Sequence, residues 1–375
     1  MNNQKLCCVA GKSGGHILPC LQFAKDQYTP DAQLIFISTT STLDATVLKP
    51  FALTDHLALY LPSIPYKAFW RLPIFCVSTL RAFVQSVWYL KTQKPDRIIS
   101  TGGFIGLPVC LAAWILRIPI DLFELNAVPG KATVVLSMFA TRIFICFQDA
   151  QKAFKKPCLL TNYPIRFRGP SLPSTTLKLR ITETLRWTEQ DKTPSQHTAD
   201  INFAYSSDKK TILILGGSQG SEFLNATVQT LPQTLLSSCA IIHQTGQSSV
   251  AACTAFYKAR NVTAHVFAYE LDLAPYYQMA DLIVCRAGAG TLFETMFFRK
   301  PCIIIPLETA TTDHQLDNAY AIQNMHPELV TVVRQNDIRT NPELFSTCIT
   351  SQLANQAAMK NTSTQPYYTQ ATDSH

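Results

Sequence analysis

Several short polar segments combine residue types that bind anions or move protons. The first is Gly11-Lys12-Ser13-Gly14-Gly15-His16. Glycines at a strand-to-helix turn let a ligand approach the backbone, and a helix N-terminus behind them attracts negative charge. His16 adds an imidazole whose ordinary pKa, about 6.5, suits a general base. The alternative is a tight turn with an incidental histidine. Gly216-Gly217-Ser218-Gln219-Gly220 repeats the pattern. Its N–H groups and the Ser218 hydroxyl suit a diphosphate or a sugar, unless Ser218 only caps a helix. In Arg286-Ala287-Gly288-Ala289-Gly290-Thr291-Leu292-Phe293-Glu294, small residues open a helix and Glu294 follows about one turn later. A phosphate fits the small-residue start, and the carboxylate can accept from two ribose hydroxyls; the bland alternative is an acid favoured by the helix dipole. Asp313-His314-Gln315 with Asn318 lies in a polar segment after an apolar strand, where the amide of Gln315 suits sugar hydroxyls. Glu124, Asn126 and Arg166 stand at strand ends, and an arginine there can pair with phosphate.

Two familiar motifs are excluded. Gly11-Lys12-Ser13 resembles the end of an ATPase phosphate loop, but that motif needs glycine at position 6, where Leu6 stands. The G-x-G-x-x-G dinucleotide fingerprint is absent.

The elements that must position these loops alternate. Short apolar strands are expected at 5–11, 33–39, 96–103, 118–126 and 141–147, with an amphipathic helix over 17–27. Residues 168–210 are rich in Ser, Thr, Pro and Lys and read as a linker with a possible insertion. The strand-then-glycine logic restarts at 209–221, and further strands are expected at 240–243, 262–267, 281–285 and 301–306. Such alternation predicts an α/β protein of two Rossmann-like domains with parallel sheets facing one cleft. The expected boundaries are 1–167, the linker at 168–210, a second domain at 211–340, and a polar tail at 341–375, frayed over 351–375.

Composition narrows the classes further. The chain has 375 residues, enough for two cores, and 47% hydrophobic content excludes a disordered protein. Only 15% of residues are charged, against about 25% in ordinary soluble proteins. The net charge of +7 favours anionic partners. None of the 12 cysteines forms a Cys-x-x-Cys pair and no His cluster has zinc spacing, so they read as buried thiols in a reducing compartment. No signal peptide is expected at the N-terminus. The longest apolar stretch, 104–120, is interrupted by Pro108, Arg117 and Pro119, which argues against a membrane span. Residues 66–97 interleave Lys67, Arg71, Arg81, Lys91, Lys94 and Arg97 with Trp70, Phe75, Phe83, Trp88 and Tyr89. That mixture suits an anionic membrane surface, although part of it must be core helix. No RNA-binding signature accompanies it, and no nucleic-acid partner is expected.

Taken in order over about residues 5–335, GKSGGHILP, STGGFIGLPVCLAAW, ELNAVPGKAT, NYPIR, ILGGSQGSEFLN, HQTG, CRAGAGTLFE and DHQLDNA resemble the MurG family. The resemblance implies a GT-B glycosyltransferase fold and transfer of GlcNAc from UDP-GlcNAc to lipid I, giving lipid II, with inversion and without metal or other cofactor. It implies that Ser13, Gly14 and Gly15 lie over the diphosphate and acceptor, and that Asn126 contacts GlcNAc. Arg166 and Ser218 would serve the donor site, and the backbone at Ala268 would read uracil. Ala289, Gly290, Thr291, Leu292 and Phe293 would cradle phosphate, Glu294 the ribose and Gln315 the GlcNAc hydroxyls. His16 is the expected base. The stretch 66–97 would meet the cytoplasmic face of the inner membrane, making the protein peripheral.

Departures from the family pattern keep alternatives open. Lys12 and Ser13 replace the usual Gly and Thr, Phe123 and Leu125 replace His and Gln around Glu124, and Phe104 replaces a tyrosine. A UDP-sugar transferase for another glycolipid, or a weakly active or non-catalytic UDP-sugar binder, fits those changes. A UDP-sugar 2-epimerase shares the implied fold but calls for further acidic residues in the cleft, which the loops do not supply.

Overall fold

A computed structural model describes residues 4–11, 14–28, 32–62, 70, 72–165, 167, 198–199, 209–217, 219–270, 272–308 and 314–359. The chain divides into two compact units, Met1–Arg166 and Phe167–His375.

In the first unit the strands are β1 (Lys5–Val9), β2 (Gln33–Thr39), β3 (Asp55–Leu59), β4 (Arg97–Ser100), β5 (Ile120–Glu124), β6 (Arg142–Ile145) and β7 (Leu159–Leu160). The helices are α1 (Gly14–Gln27), α2 (Thr42–Leu48), α3 (Leu72–Gln93), α4 (Gly106–Ile115) and α5 (Lys131–Leu136). The sheet order is β3-β2-β1-β4-β5-β6-β7, all parallel. Helices cover both faces of such a sheet, so its central strands must be apolar on both sides. KLCCV, QLIFIST and IDLFE meet that demand, with nearly every residue buried. The DHLAL segment of β3 alternates half-buried and exposed residues instead. That pattern marks an edge, and its two polar residues hid it from a search for apolar runs.

The second unit carries β8 (Thr198–Ala199), β9 (Lys210–Leu215), β10 (Cys239–Gln244), β11 (Ala264–Phe267), β12 (Leu282–Cys285), β13 (Cys302–Ile304) and β14 (Val330–Val332). Its helices are α6 (Glu222–Gln229), α7 (Gln233–Ser238), α8 (Val250–Ala259), α9 (Ala274–Met279), α10 (Ala289–Phe297), α11 (His314–Met325), α12 (Gln335–Thr340) and α13 (Glu343–Met359). The order is β14-β13-β12-β9-β10-β11-β8, with β8 alone antiparallel. In both sheets the chain runs outward from the centre, returns, and runs out the other way. The reversal falls between β1 and β4 in one and between β9 and β12 in the other. Ligands bind at such switch points, beyond the carboxyl ends of the strands.

Two segments differ from their sequence reading. Residues 343–359, placed in a polar tail, form α13, whose Phe345 and Ile349 are buried in the core of the second unit. Burying two such side chains contributes about 3–6 kcal/mol, and Leu344, Cys348 and Leu353 pack beside them, enough to fix the helix. Of the expected linker, β8 pairs with β11 through Val266–Ala199 and Phe267–Thr198, and Lys210 already belongs to β9. The linker residues 168–197 and 200–208, and the tail residues 360–375, lie outside the described residues.

Candidate active site

In the first unit the switch point is bridged by a side chain. His16 stands in the first turn of α1, and its Nδ1 lies 3.2 Å from the carbonyl oxygen of Thr101, just beyond β4. A carbonyl only accepts, so Nδ1 carries the hydrogen and Nε2 keeps its lone pair. Thr101 returns the contact, its hydroxyl donating to the His16 carbonyl at 3.3 Å. Partial burial lowers the His16 pKa, which the Thr101 carbonyl offsets in smaller part. The ring is therefore neutral near pH 7, as a proton acceptor must be. Pro19 lacks an N–H, so the Gly15 carbonyl one turn earlier loses its helical donor.

Glu124 closes β5 and is 1% exposed. Its Oε1 accepts from the Asn126 backbone N–H at 2.8 Å and from Asn126 Nδ2 at 3.0 Å. Burial raises its pKa to about 7, against the lowering effect of those bonds. Asn126, the expected GlcNAc contact, has its amide oriented by the acid two residues before it. Phe123 and Leu125 are buried, so the two departures from the family pattern point into the core.

The second unit builds its switch point from glycines and one buried arginine. Gly220 (φ +78°) and Gly246 (φ +79°) hold conformations that favour glycine, and their backbones touch. A Cβ on Gly246 would sit 2.6 Å from the Gly220 Cα, so the loops after β9 and β10 pack backbone on backbone. The cap of α6 is Ser221, whose hydroxyl accepts from Leu224 N. Arg286, 8% exposed, follows β12. It donates Nε to Ser221 Oγ at 2.9 Å and Nη1 to the carbonyls of Ile305 (3.0 Å) and Pro306 (3.2 Å). One guanidinium thus joins the ends of β12 and β13 to the start of α6. Burial lowers its pKa to about 10, which leaves it charged at neutral pH. Sequence pattern assigns Arg286 no role; its one local signal is a charge directly after the apolar run DLIVC.

Gly288 caps α10 with no side-chain bond, and a Cβ there would meet nothing within 4 Å. Of the five residues expected to cradle phosphate, Ala289, Gly290 and Thr291 form the first turn, where N–H groups have no helical acceptor. Leu292 N donates to the Gly288 carbonyl, and the Leu292 and Phe293 side chains are buried. Glu294 is buried farther along α10, and Tyr277 on α9 donates its hydroxyl to Glu294 Oε2 at 3.0 Å. Gln315, at the start of α11, accepts through Oε1 from Ala287 N (3.2 Å) and Leu307 N (2.9 Å), which directs Nε2 to serve as its donor. Asn318 Nδ2 donates to the Ala287 carbonyl. Ala268 is buried directly after β11. Ser13, Arg166 and Ser218 lie outside the described residues, and Gly14 and Gly15 open α1. Among the described residues no group of three or more His, Cys, Asp or Glu is placed to hold a metal ion.

Two Rossmann-like sheets of this order, parallel but for β8, are the architecture of the GT-B fold. Residues 6–145 match the glycosyltransferase family 28 N-terminal domain, and residues 211–373 match the family 28 C-terminal domain. The chain is 32% identical over 330 residues, 85% of its length and 82% of the relative's, to the UDP-N-acetylglucosamine--N-acetylmuramyl-(pentapeptide) pyrophosphoryl-undecaprenol N-acetylglucosamine transferase of Trichlorobacter lovleyi. It is 31% identical, covering 85% of this chain and 84% of the relative, to the protein of the same name from Pelobacter propionicus. The crystal structure of Acinetobacter baumannii MurG superposes with a TM-score of 0.67 at 25% identity, covering 97% of this chain and 96% of that one. The chain belongs to the MurG family.

Proposed function

We propose that this enzyme transfers GlcNAc from UDP-GlcNAc to the 4-hydroxyl of MurNAc in lipid I, giving lipid II. What supports this reading is a tautomer-fixed His16 at the first unit's switch point and, in the second unit taken by itself, an α10 start left open at Gly288 with Glu294 farther along the same helix. The names of the relatives specify the same donor and acceptor. His16 Nε2 takes the proton of the attacking hydroxyl. That oxygen bonds to the anomeric carbon as the bond to UDP breaks, and the configuration inverts. The departing diphosphate gathers charge, which the N–H groups of Ala289, Gly290 and Thr291 and the helix dipole offset. Arg166 and Ser218 are assigned to the same donor site, with Ser13, Gly14 and Gly15 at the diphosphate and acceptor. The Ala268 backbone serves uracil, Glu294 the ribose, and Asn126 and Gln315 the GlcNAc.

No described helix is long and apolar enough to cross a membrane. We assign peripheral attachment at the cytoplasmic leaflet to α3. Ile74, Val77, Leu80, Val84 and Trp88 recur every three or four residues on it, and all are exposed. Trp70 is 76% exposed just before it, and Arg81, Lys91 and Lys94 are exposed beside the stripe. An apolar face flanked by cations suits an anionic lipid surface. The test is label transfer from UDP-GlcNAc to a lipid I analogue, with and without a chelator. Transfer unaffected by chelation is expected. No transfer at high enzyme concentration sinks the reading, and transfer to diacylglycerol alone moves it to another glycolipid.

A further inference from the structure

We infer that Tyr277 is a positioning residue, holding the Glu294 carboxylate in the orientation that accepts the ribose hydroxyls. The inference rests on the donor-site role proposed for Glu294 and adds a group that does not itself touch the nucleotide.

Tyr277 is fully buried on α9, and its hydroxyl meets Glu294 Oε2 at 3.0 Å. The phenol cannot wander. Its ring stacks on Phe298 with centroids 5.2 Å apart and planes 9° from parallel. Phe167 meets it edge-on at 6.0 Å and packs against Phe298 at 5.4 Å. The ring is therefore gripped from two directions, which fixes where its oxygen lies. A glutamate is different: it has three rotatable torsions and carries a charge that burial penalises. A fixed donor answers both problems. It gives the buried carboxylate a charge-assisted hydrogen bond and restricts the rotamers from which ribose is met. Without the hydroxyl, Oε2 loses one buried donor, and the carboxylate is less firmly held for ribose.

The role is separable from plain packing, because Tyr277→Phe keeps the ring and removes only the oxygen. Calorimetry on the full chain would compare UDP with 2′,3′-dideoxy-UDP, which lacks the hydroxyls that Glu294 is assigned to bind. Y277F is expected to weaken UDP about tenfold, the usual order for a bond to a charged group, and to leave dideoxy-UDP unchanged. The KM for UDP-GlcNAc should rise by the same factor with kcat within twofold of wild type. In a Glu294→Ala background, Y277F should cost nothing further, since its effect passes through the carboxylate. That background also removes the carboxylate that Y277F would deprive of a donor, so the double variant gives an answer even where Y277F alone fails to fold. Equal weakening of both nucleotides, unchanged affinity for both, or additive losses in the double variant would each overturn the inference. The outcomes separate the two layers. If Glu294→Ala binds UDP as wild type does, the ribose role falls and takes this inference with it. If Glu294→Ala weakens UDP while Y277F is silent, only Tyr277 loses its role.

Discussion

His16 Nδ1 meets the carbonyl oxygen of Thr101 at 3.2 Å, a bond between segments 85 residues apart that spans the switch point of the first sheet. The second sheet repeats the relationship, with Arg286 and Ser221 joined at 2.9 Å across 65 residues. In each unit a side chain clamps the two loops that diverge around the central strands.

The His16 bond sets a catalytic expectation. His16→Ala should lower kcat by about 10²–10⁴, the range for a lost general base, while UDP affinity stays within twofold by calorimetry. Burial lowers the His16 pKa, so the imidazole proposed as base is neutral at pH 7 and gains its proton only below its ordinary 6.5. The acid limb of the kcat profile should therefore fall below pH 6.5. A limb above 6.5, or equal loss of UDP binding and turnover, would show that His16 does not act as this base.

Arg286→Met should destabilise the second unit by about 3 kcal/mol, because Ser221 Oγ and two strand-end carbonyls lose a buried charged donor. UDP affinity should fall with it, since the loops being clamped are those assigned to phosphate. Thermal melts with and without UDP check both effects. Wild-type melting in the variant would show that the guanidinium is not the clamp.

Glu124 makes stability depend on pH in an unusual direction. Its carboxyl keeps its proton up to about pH 7 when folded, against an ordinary 4.5. Between those values the folded chain binds more protons than the unfolded one. The contribution is fully present below pH 4.5 and is lost as pH rises through 7, by about 3 kcal/mol. Glu124→Gln keeps an oxygen for Asn126 and avoids burying charge. It should melt above wild type at pH 8, with the gain disappearing near pH 4. A gain of the same size at both pH values would assign it to packing instead.

The exposed stripe of α3 predicts a separation of binding from chemistry. Val84→Glu with Trp88→Glu should reduce sedimentation with phosphatidylglycerol vesicles at least tenfold, since two apolar contacts are lost and two charges repel the lipid. Turnover of a detergent-soluble acceptor should stay near wild type. Unchanged vesicle binding would remove α3 from the contact.

The sequence alone determined the frame. Buried parallel strands are short apolar runs, and KLCCV, QLIFIST and KTILIL announce themselves because both faces must be covered. The glycine loops were legible for a similar local reason: few residues other than glycine allow backbone to lie on backbone, as Gly220 and Gly246 do. Where a signal depended on distant partners, local pattern failed. The DHLAL segment became a strand because β2 offered an edge, and α13 became a helix because Phe345 and Ile349 found the core of the second unit. The site divides in the same way. Residue types placed His16, Asn126, Glu294 and Gln315 among the candidates. Only the tertiary structure decided which nitrogen of His16 bears its proton, which acid fixes Asn126, which phenol meets Glu294, and that Arg286 is a clamp. Each of those is a hydrogen bond between separate atoms in space, and its strength comes from the burial that folding alone creates.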